Sequence, residues 1–164
     1  MRKAIAIVAG LLVLAAVNWT IWQRERQIET GIVVRLELAP VDPRSLMQGD
    51  YMALRYRVSD DAVGRRAKED LEDGRIIVKD DDRGVARLVR RDNGQPLVQG
   101  EVALKYRVRG GMVKFATNAW FFQEGTGKLY EPAKYGEFRV SPEGEMLLVG
   151  MLDVNLKRLG PPPG

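Results

Sequence analysis

One loop in the first third of the chain carries side chains that could hold a polar ligand. Asp42, Arg44 and Asp50 supply two carboxylates and a cation, and Tyr51 adds an aromatic ring beside them. Such a set could bind a peptide or a small polar molecule. The favoured interpretation is structural, because aspartates in proline-rich turns commonly accept hydrogen bonds from loop amides, and Arg44 could pair with one of them.

A second candidate site lies in the glycine-containing segment that begins at Glu124. It holds two carboxylates, Glu124 and Glu131, and two phenols, Tyr130 and Tyr135. Two carboxylates can act as acid and base when unequal environments separate their pKa values. Spacing alone does not bring these groups together, so a loop packed by its own tyrosines is the favoured interpretation.

The composition restricts the chemistry that the chain could perform. Its 164 residues include no histidine and no cysteine, which excludes a histidine general base, thiolate metal sites and disulfides. A serine nucleophile would therefore need a lysine as its base. The run Asp80–Asp82 lacks the ligand spacing of a calcium loop and is predicted to be a solvated hairpin tip. We predict no metal site and no cofactor.

The charge balance does not indicate a nucleic acid partner. The chain has 26 Lys and Arg against 22 Asp and Glu, and Arg2 and Lys3 precede an apolar N-terminal run. The remaining small excess is spread along the sequence, which is typical of a solvated surface rather than of a phosphate-binding stripe.

The first candidate loop leads into a segment with the periodicity of a strand. Beyond Asp50, apolar side chains alternate with polar or small ones, as in a strand with one buried face. Gly49 permits a positive φ or a close backbone approach where the loop becomes a strand. The predicted buried positions are Met52, Leu54, Tyr56 and Val58. The predicted solvent-facing positions are Tyr51, Ala53, Arg55 and Arg57.

This segment resembles the signature of the GDYXXLXY family of bacterial membrane-anchored proteins. The signature positions are Gly49, Asp50, Tyr51, Leu54 and Tyr56. The approach Asp42–Leu46 is also similar to the family, and so is a second block that runs from Trp120–Gly125 through Tyr135–Val140. The resemblance implies an architecture rather than a reaction, and it implies a multi-pass membrane protein as partner.

A weaker resemblance supplies an alternative in which the chain is an enzyme. Type I signal peptidases are membrane-anchored, mainly β, and place a nucleophilic serine shortly before a Gly-Asp pair. Ser45 precedes Gly49 and Asp50 in a similar way, and Lys79 lies on a later predicted strand. The Ser-Met-x-Pro pattern of those enzymes is missing, so a serine–lysine hydrolase remains the alternative hypothesis.

The N-terminal run Ala4–Trp22 predicts a transmembrane helix. Its nineteen residues carry no charge and span roughly 28 Å at about 1.5 Å per residue, close to the hydrocarbon thickness of a bilayer. Arg2 and Lys3 before it predict a cytoplasmic start in the inner membrane and an extracytoplasmic, periplasmic remainder. Ala15 and Ala16 leave open a cleaved signal peptide as the alternative.

The rest of the chain is predicted to be a small antiparallel β barrel or sandwich with one or two short helices. Strands are predicted at 32–38, 75–79, 85–90, 97–109, 112–122, 136–140 and 145–156, and helical segments at about 59–71 and 129–134. The predicted organisation is an anchor at 1–30, a β domain at 31–158 and a disordered tail at 159–164.

These observations predict a non-enzymatic accessory or binding module. It is held in the lipid bilayer by Ala4–Trp22 and acts beside an integral membrane partner. The candidate binding residues are Asp42, Arg44, Asp50, Tyr51, Glu124, Tyr130 and Tyr135.

Overall fold

The computed structural model describes residues 2–39, 47–48, 51–63, 72–110 and 112–161. In these ranges a long N-terminal helix is followed by short strands. The helices are α1 (Arg2–Thr30), α2 (Arg57–Val63) and a 3-10 helix (Gly127–Leu129). The strands are β1 (Ile32–Glu37), β2 (Met47–Gln48), β3 (Tyr51–Ala53), β4 (Gly74–Asp80), β5 (Ala86–Arg91), β6 (Glu101–Arg109), β7 (Met112–Lys114), β8 (Ala119–Phe121), β9 (Tyr135–Val140), β10 (Met146–Leu152) and β11 (Arg158–Leu159).

The described strands pair in three antiparallel sheets, with the orders β1-β9-β10-β11, β2-β3-β8 and β5-β4-β6-β7. The β4–β5 and β9–β10 pairs are hairpins, as the turn residues between them predicted. The second sheet instead joins distant segments, because β8 pairs with β3, the strand of the signature. The predicted mainly β, antiparallel fold behind an apolar N-terminal helix is confirmed.

One hydrophobic core receives side chains from all three sheets and from α2. Alternation along β1 buries Val34 and Leu36, and Ile76 and Val78 of β4 lie in the same cluster. The fully buried members also include Tyr56, Leu104, Phe138, Val140 and Met151. Removing this apolar surface from water is the main force that holds the sheets together.

Helix α1 is long and apolar enough to cross a membrane, and its most apolar part is not buried by the rest of the chain. Near the end of its apolar run, the ring centres of Trp19 and Trp22 lie 5.3 Å apart. The guanidinium carbon of Arg26 lies 5.2 Å from the centre of the Trp22 ring. Tryptophan beside cations is typical of a membrane–water interface.

The last turns of α1 are fastened to the β domain by the side-chain amide of Gln27. This amide donates hydrogen bonds to the carbonyls of Arg139 and Glu145, at 3.1 and 2.9 Å, on the β9–β10 hairpin. The helix ends at Gly31, whose amide donates to the Gln27 carbonyl at 3.0 Å. A β-carbon at Gly31 would lie only 2.5 Å from that carbonyl oxygen, so the close turn into β1 requires glycine.

Several predicted boundaries are wrong. The signature strand ends at Ala53, and Val58 reaches the core from α2, which begins at Arg57 rather than at Ser59 or Asp60. The predicted continuation of this helix to Leu71 lies outside the described residues. Ile32, expected in the buried face of β1, is exposed because it stands at the outer end of the strand.

Two of the long predicted strands are also wrong in extent. Strand β6 begins at Glu101, and Leu97 and Val98 before it are exposed in a loop. The predicted strand 112–122 is split into β7 and β8, which pair with different neighbours. The helical turn expected at 129–134 is a 3-10 helix at Gly127–Leu129. Leu159, predicted within a disordered tail, pairs with Met151.

Candidate functional site

The signature strand carries an aromatic pair on its outer side. The register of β3 with β8 places Tyr51 opposite Phe121, and their ring centres are 5.7 Å apart. The next pair, Met52 with Trp120, faces the core because successive side chains point to opposite faces of a strand. Phe121 is 73% exposed. The two rings therefore form an apolar surface at the solvent side of this sheet.

The signature residues Leu54 and Tyr56 are structural. Both are buried, and Tyr56 lies edge-on to Phe115 and Phe138, with ring centres 6.2 and 5.4 Å away. The Tyr56 hydroxyl donates to the carbonyl of Thr117 at 3.3 Å. Burial raises the pKa of Tyr56 above its ordinary value, since the phenolate would be deprived of water. These two signature positions specify the core.

The second block similar to the family packs against the first. Phe138 on β9 contacts the Tyr56 ring, and Gly136 lies in the same strand. A β-carbon at Gly136 would come within 3.4 Å of the Tyr56 ring and 3.2 Å of Leu148 and Phe138. The glycine therefore leaves room for the buried tyrosine, which links the two blocks of sequence physically.

The segment that begins at Glu124 does not assemble its phenols into one site. Tyr130 is buried in the main core, where it stacks on Phe122 with ring centres 5.4 Å apart and meets Trp120 edge-on at 5.8 Å. Tyr135 belongs to a separate cluster with Val85 and Leu152. Glu124 is exposed in a turn. The structure thus places both phenols in packing roles.

Other residues of the first candidate loop cannot be placed. Asp42, Arg44, Gly49 and Asp50 lie outside the described residues, as does Ser45 of the hydrolase alternative. Its proposed partner Lys79 is exposed on β4.

The acidic run at the β4–β5 hairpin stabilises its own turn. The Asp81 carboxylate accepts hydrogen bonds from the amides of Arg83 and Val85, at 2.9 and 3.0 Å, and from the Arg87 guanidinium at 2.9 Å. The bond from the Val85 amide is the main reason that the pKa of Asp81 is lowered. Among the described residues, no group of three potential ligands could hold a metal ion.

Two clusters of ion pairs cross the outer faces of the sheets. Glu37 of β1 binds the guanidinium groups of Arg57 on α2 and Arg87 on β5. Glu137 of β9 binds Arg35 and Arg158 in a less exposed position. Charged groups that share partners in this way restrain one another, so these clusters connect β1 with its neighbours.

Two surfaces were not predicted from the sequence. The position of Phe121 beside Tyr51 was not predicted because one continuous strand was expected over 112–122, whereas Phe121 lies in the separate strand β8. A set of basic residues on the β6–β7 hairpin was also missed, although Lys105, Arg107 and Arg109 alternate with apolar residues and thus indicate one exposed face. The fold, rather than net charge, brings these groups together.

Comparison with known proteins identifies one family. The model of the GDYXXLXY protein family matches residues 13–151, which is most of the chain and includes both the signature strand and the second block. Searches of curated proteins and of solved structures found no significant match. The match extends far beyond the eight signature residues and covers the core that they specify. The chain therefore belongs to the GDYXXLXY family.

Proposed function

We propose that this protein is a single-pass inner-membrane binding module whose β domain lies in the periplasm beside an integral membrane partner. The observation that carries the proposal is α1, an exposed apolar helix fastened at its end to the β domain. An apolar helix of this length is stable in a bilayer and costly in water. Arg2 and Lys3 before the helix support a cytoplasmic N-terminus under the positive-inside rule.

The aromatic pair of Tyr51 and Phe121 is the proposed contact with the partner. Aromatic rings supply large contact areas at interfaces, and the Phe121 ring is largely exposed beside that of Tyr51. Arg44 precedes the same strand in the sequence and is included in the proposed contact. The function needs no catalytic group, since the module acts by binding.

The membrane topology can be tested directly. We expect the full chain to stay with membranes after a carbonate wash, and a reporter that is active only outside the cytoplasm to work when fused after Gly164. The reason is the uncharged run Ala4–Trp22 with Arg2 and Lys3 before it. Recovery of a shortened, soluble protein would show cleavage of α1 and contradict the anchor.

The binding role predicts which substitutions abolish function. We expect Phe121→Ala, Tyr51→Ala and Arg44→Ala each to reduce recovery of a cross-linked integral membrane partner by at least tenfold, as truncation of an interface hot spot does. Val98→Ala is the matched control, because it removes an exposed apolar side chain elsewhere.

The same assay distinguishes the hydrolase alternative. Ser45→Ala and Lys79→Ala should leave partner recovery and growth unchanged in a binding module. A catalytic serine–lysine pair would instead lose most of its rate with either change. Loss confined to those two variants, at matched expression, would overturn the proposed function.

A further inference from the structure

The β6–β7 hairpin presents a concentrated positive charge beside the end of α1. Lys105, Arg107 and Arg109 lie at alternate positions on β6 and are exposed on one face. Lys114 of β7 is directly opposite Arg107 in the register. Together with Arg24 of α1, the four line a concave surface of about 360 Å³, which we call the basic concavity.

The charge of the basic concavity is only partly neutralised. Lys105 pairs with Glu145 at 2.7 Å, and Arg109 pairs with Asp73 at 3.4 Å. Within the part of the chain that the structure describes, Arg107 and Lys114 have no carboxylate partner. Like charges directly opposite each other on neighbouring strands are destabilising, so this arrangement favours an anion between or above them.

The basic concavity lies at the level of α1 where a membrane surface would be. Arg107 also lines a groove that runs along the helix and includes Thr20 and Trp22. Arg24 follows Trp22 by two residues, about 3 Å along the helix axis. The polar layer on each side of a bilayer is roughly 5–7 Å deep. With Trp22 at the edge of the hydrocarbon, Arg24 reaches the layer of the lipid phosphates, and Arg107 lines the same concavity as Arg24.

We infer that the basic concavity binds the phosphate of an anionic phospholipid in the bilayer that holds α1. The inference rests on the proposed membrane anchoring. Guanidinium groups form paired hydrogen bonds with phosphate oxygens, and Lys114 adds a compact positive charge. The acyl chains of such a lipid would lie along the exposed apolar side chains of α1. A soluble phosphate would gain no such contact, so the site selects a lipid.

The test is native mass spectrometry of the full chain in detergent, titrated with phosphatidylglycerol or with phosphatidylcholine. We expect the anionic lipid to bind at least tenfold more tightly than the zwitterionic one. The double variant Arg107→Gln/Lys114→Gln should lose roughly 25-fold in affinity for phosphatidylglycerol, since each basic residue at an anionic surface contributes about a factor of five. The loss should be smaller for phosphatidylcholine, because its choline cation offsets the charge of its phosphate.

The control variant is Lys128→Gln/Lys157→Gln, which removes the same charge from exposed positions outside the basic concavity. It should bind phosphatidylglycerol like the wild type. Equal affinities for the two lipids, or equal losses in the two double variants, would overturn the inference. Displacement of the lipid by inorganic phosphate at similar concentration would overturn it as well. A carbonate wash of the same variants tests the anchor separately. Every variant should stay with the membranes.

Discussion

Replacing Tyr56 with alanine should lower the free energy of unfolding by about 3–5 kcal/mol, the loss typical of a large aromatic side chain removed from a core. The side chain has no exposed surface. It contacts the rings of Phe115 and Phe138 and lies against Gly136, which has no β-carbon. Phe138 and Gly136 lie on the paired strand β9, so the surrounding backbone should collapse only partly into the cavity left behind. Denaturant unfolding of the full chain in detergent measures the change.

Tyr56→Phe is the matched control because it keeps the ring and removes only the hydroxyl. The lost hydrogen bond to Thr117 is long, at 3.3 Å, and should cost about 1 kcal/mol. The free energy of unfolding of the wild type and of Tyr56→Phe should also respond differently to alkaline pH. Burial holds the Tyr56 pKa above its unfolded value, so its stabilising contribution is complete below about pH 10 and is lost as the pH rises further.

The phenylalanine variant should lack this alkaline component of the stability profile. Identical profiles for wild type and Tyr56→Phe would mean that the hydroxyl is hydrated in the folded state. A loss below about 1 kcal/mol for Tyr56→Ala would place the side chain outside the core.

Leu54→Ala should cost about 2–5 kcal/mol, through lost burial and a residual cavity. Leu54 belongs to the same core cluster as Tyr56, and its amide donates to the carbonyl of Asn118 at 2.7 Å. Arg55 is the neighbouring control. It is exposed and pairs with Asp60 at 2.7 Å on the surface, so Arg55→Ala should cost between zero and about 1 kcal/mol.

The comparison of these two neighbours tests the alternation through the signature. Both variants would be measured by the same unfolding experiment in detergent. Similar losses for Leu54 and Arg55 would show that the assigned inward and outward positions are wrong.

The burial of the signature positions could be predicted although the secondary structure could not. Met52, Leu54 and Tyr56 are all buried, as the alternation indicated, but only the first is in a strand. An extended chain alternates its side chains whether or not its backbone pairs with a neighbour. Val58 is buried for another reason, because α2 turns it inward. The spacing of apolar residues alone does not distinguish burial from an extended segment from burial by a short helix.

The pairing of β8 with β3 could not be predicted from local sequence patterns. Strands 119–121 and 51–53 are far apart in the sequence, and no turn residue connects them. The break at Phe115–Asn118 is likewise set by tertiary contacts, since Phe115 packs into the core beside Tyr56 and Tyr106. Local propensity favoured one continuous strand there.

The candidate sites depended even more on the fold. Tyr130 and Tyr135 are near in sequence, yet they pack in separate clusters because the chain passes from a loop into β9 between them. The basic concavity arises from the register of a hairpin and the position of α1, neither of which is contained in the net charge. The sequence predicted the residue types on each face, and the fold determined their neighbours.

Two hydrogen bonds from Gln27 to the β9–β10 hairpin join the end of α1 to the β domain. A transmembrane helix tilts when its apolar length exceeds the local bilayer thickness, and it straightens when the bilayer thickens. Under the proposed anchoring, we expect a tilt of α1 to rotate the domain with it, because the helix runs unbroken to Thr30. The proposed anchoring therefore predicts that the outward direction of Tyr51 and Phe121 changes with hydrophobic mismatch, so that membrane thickness would set which way the domain faces.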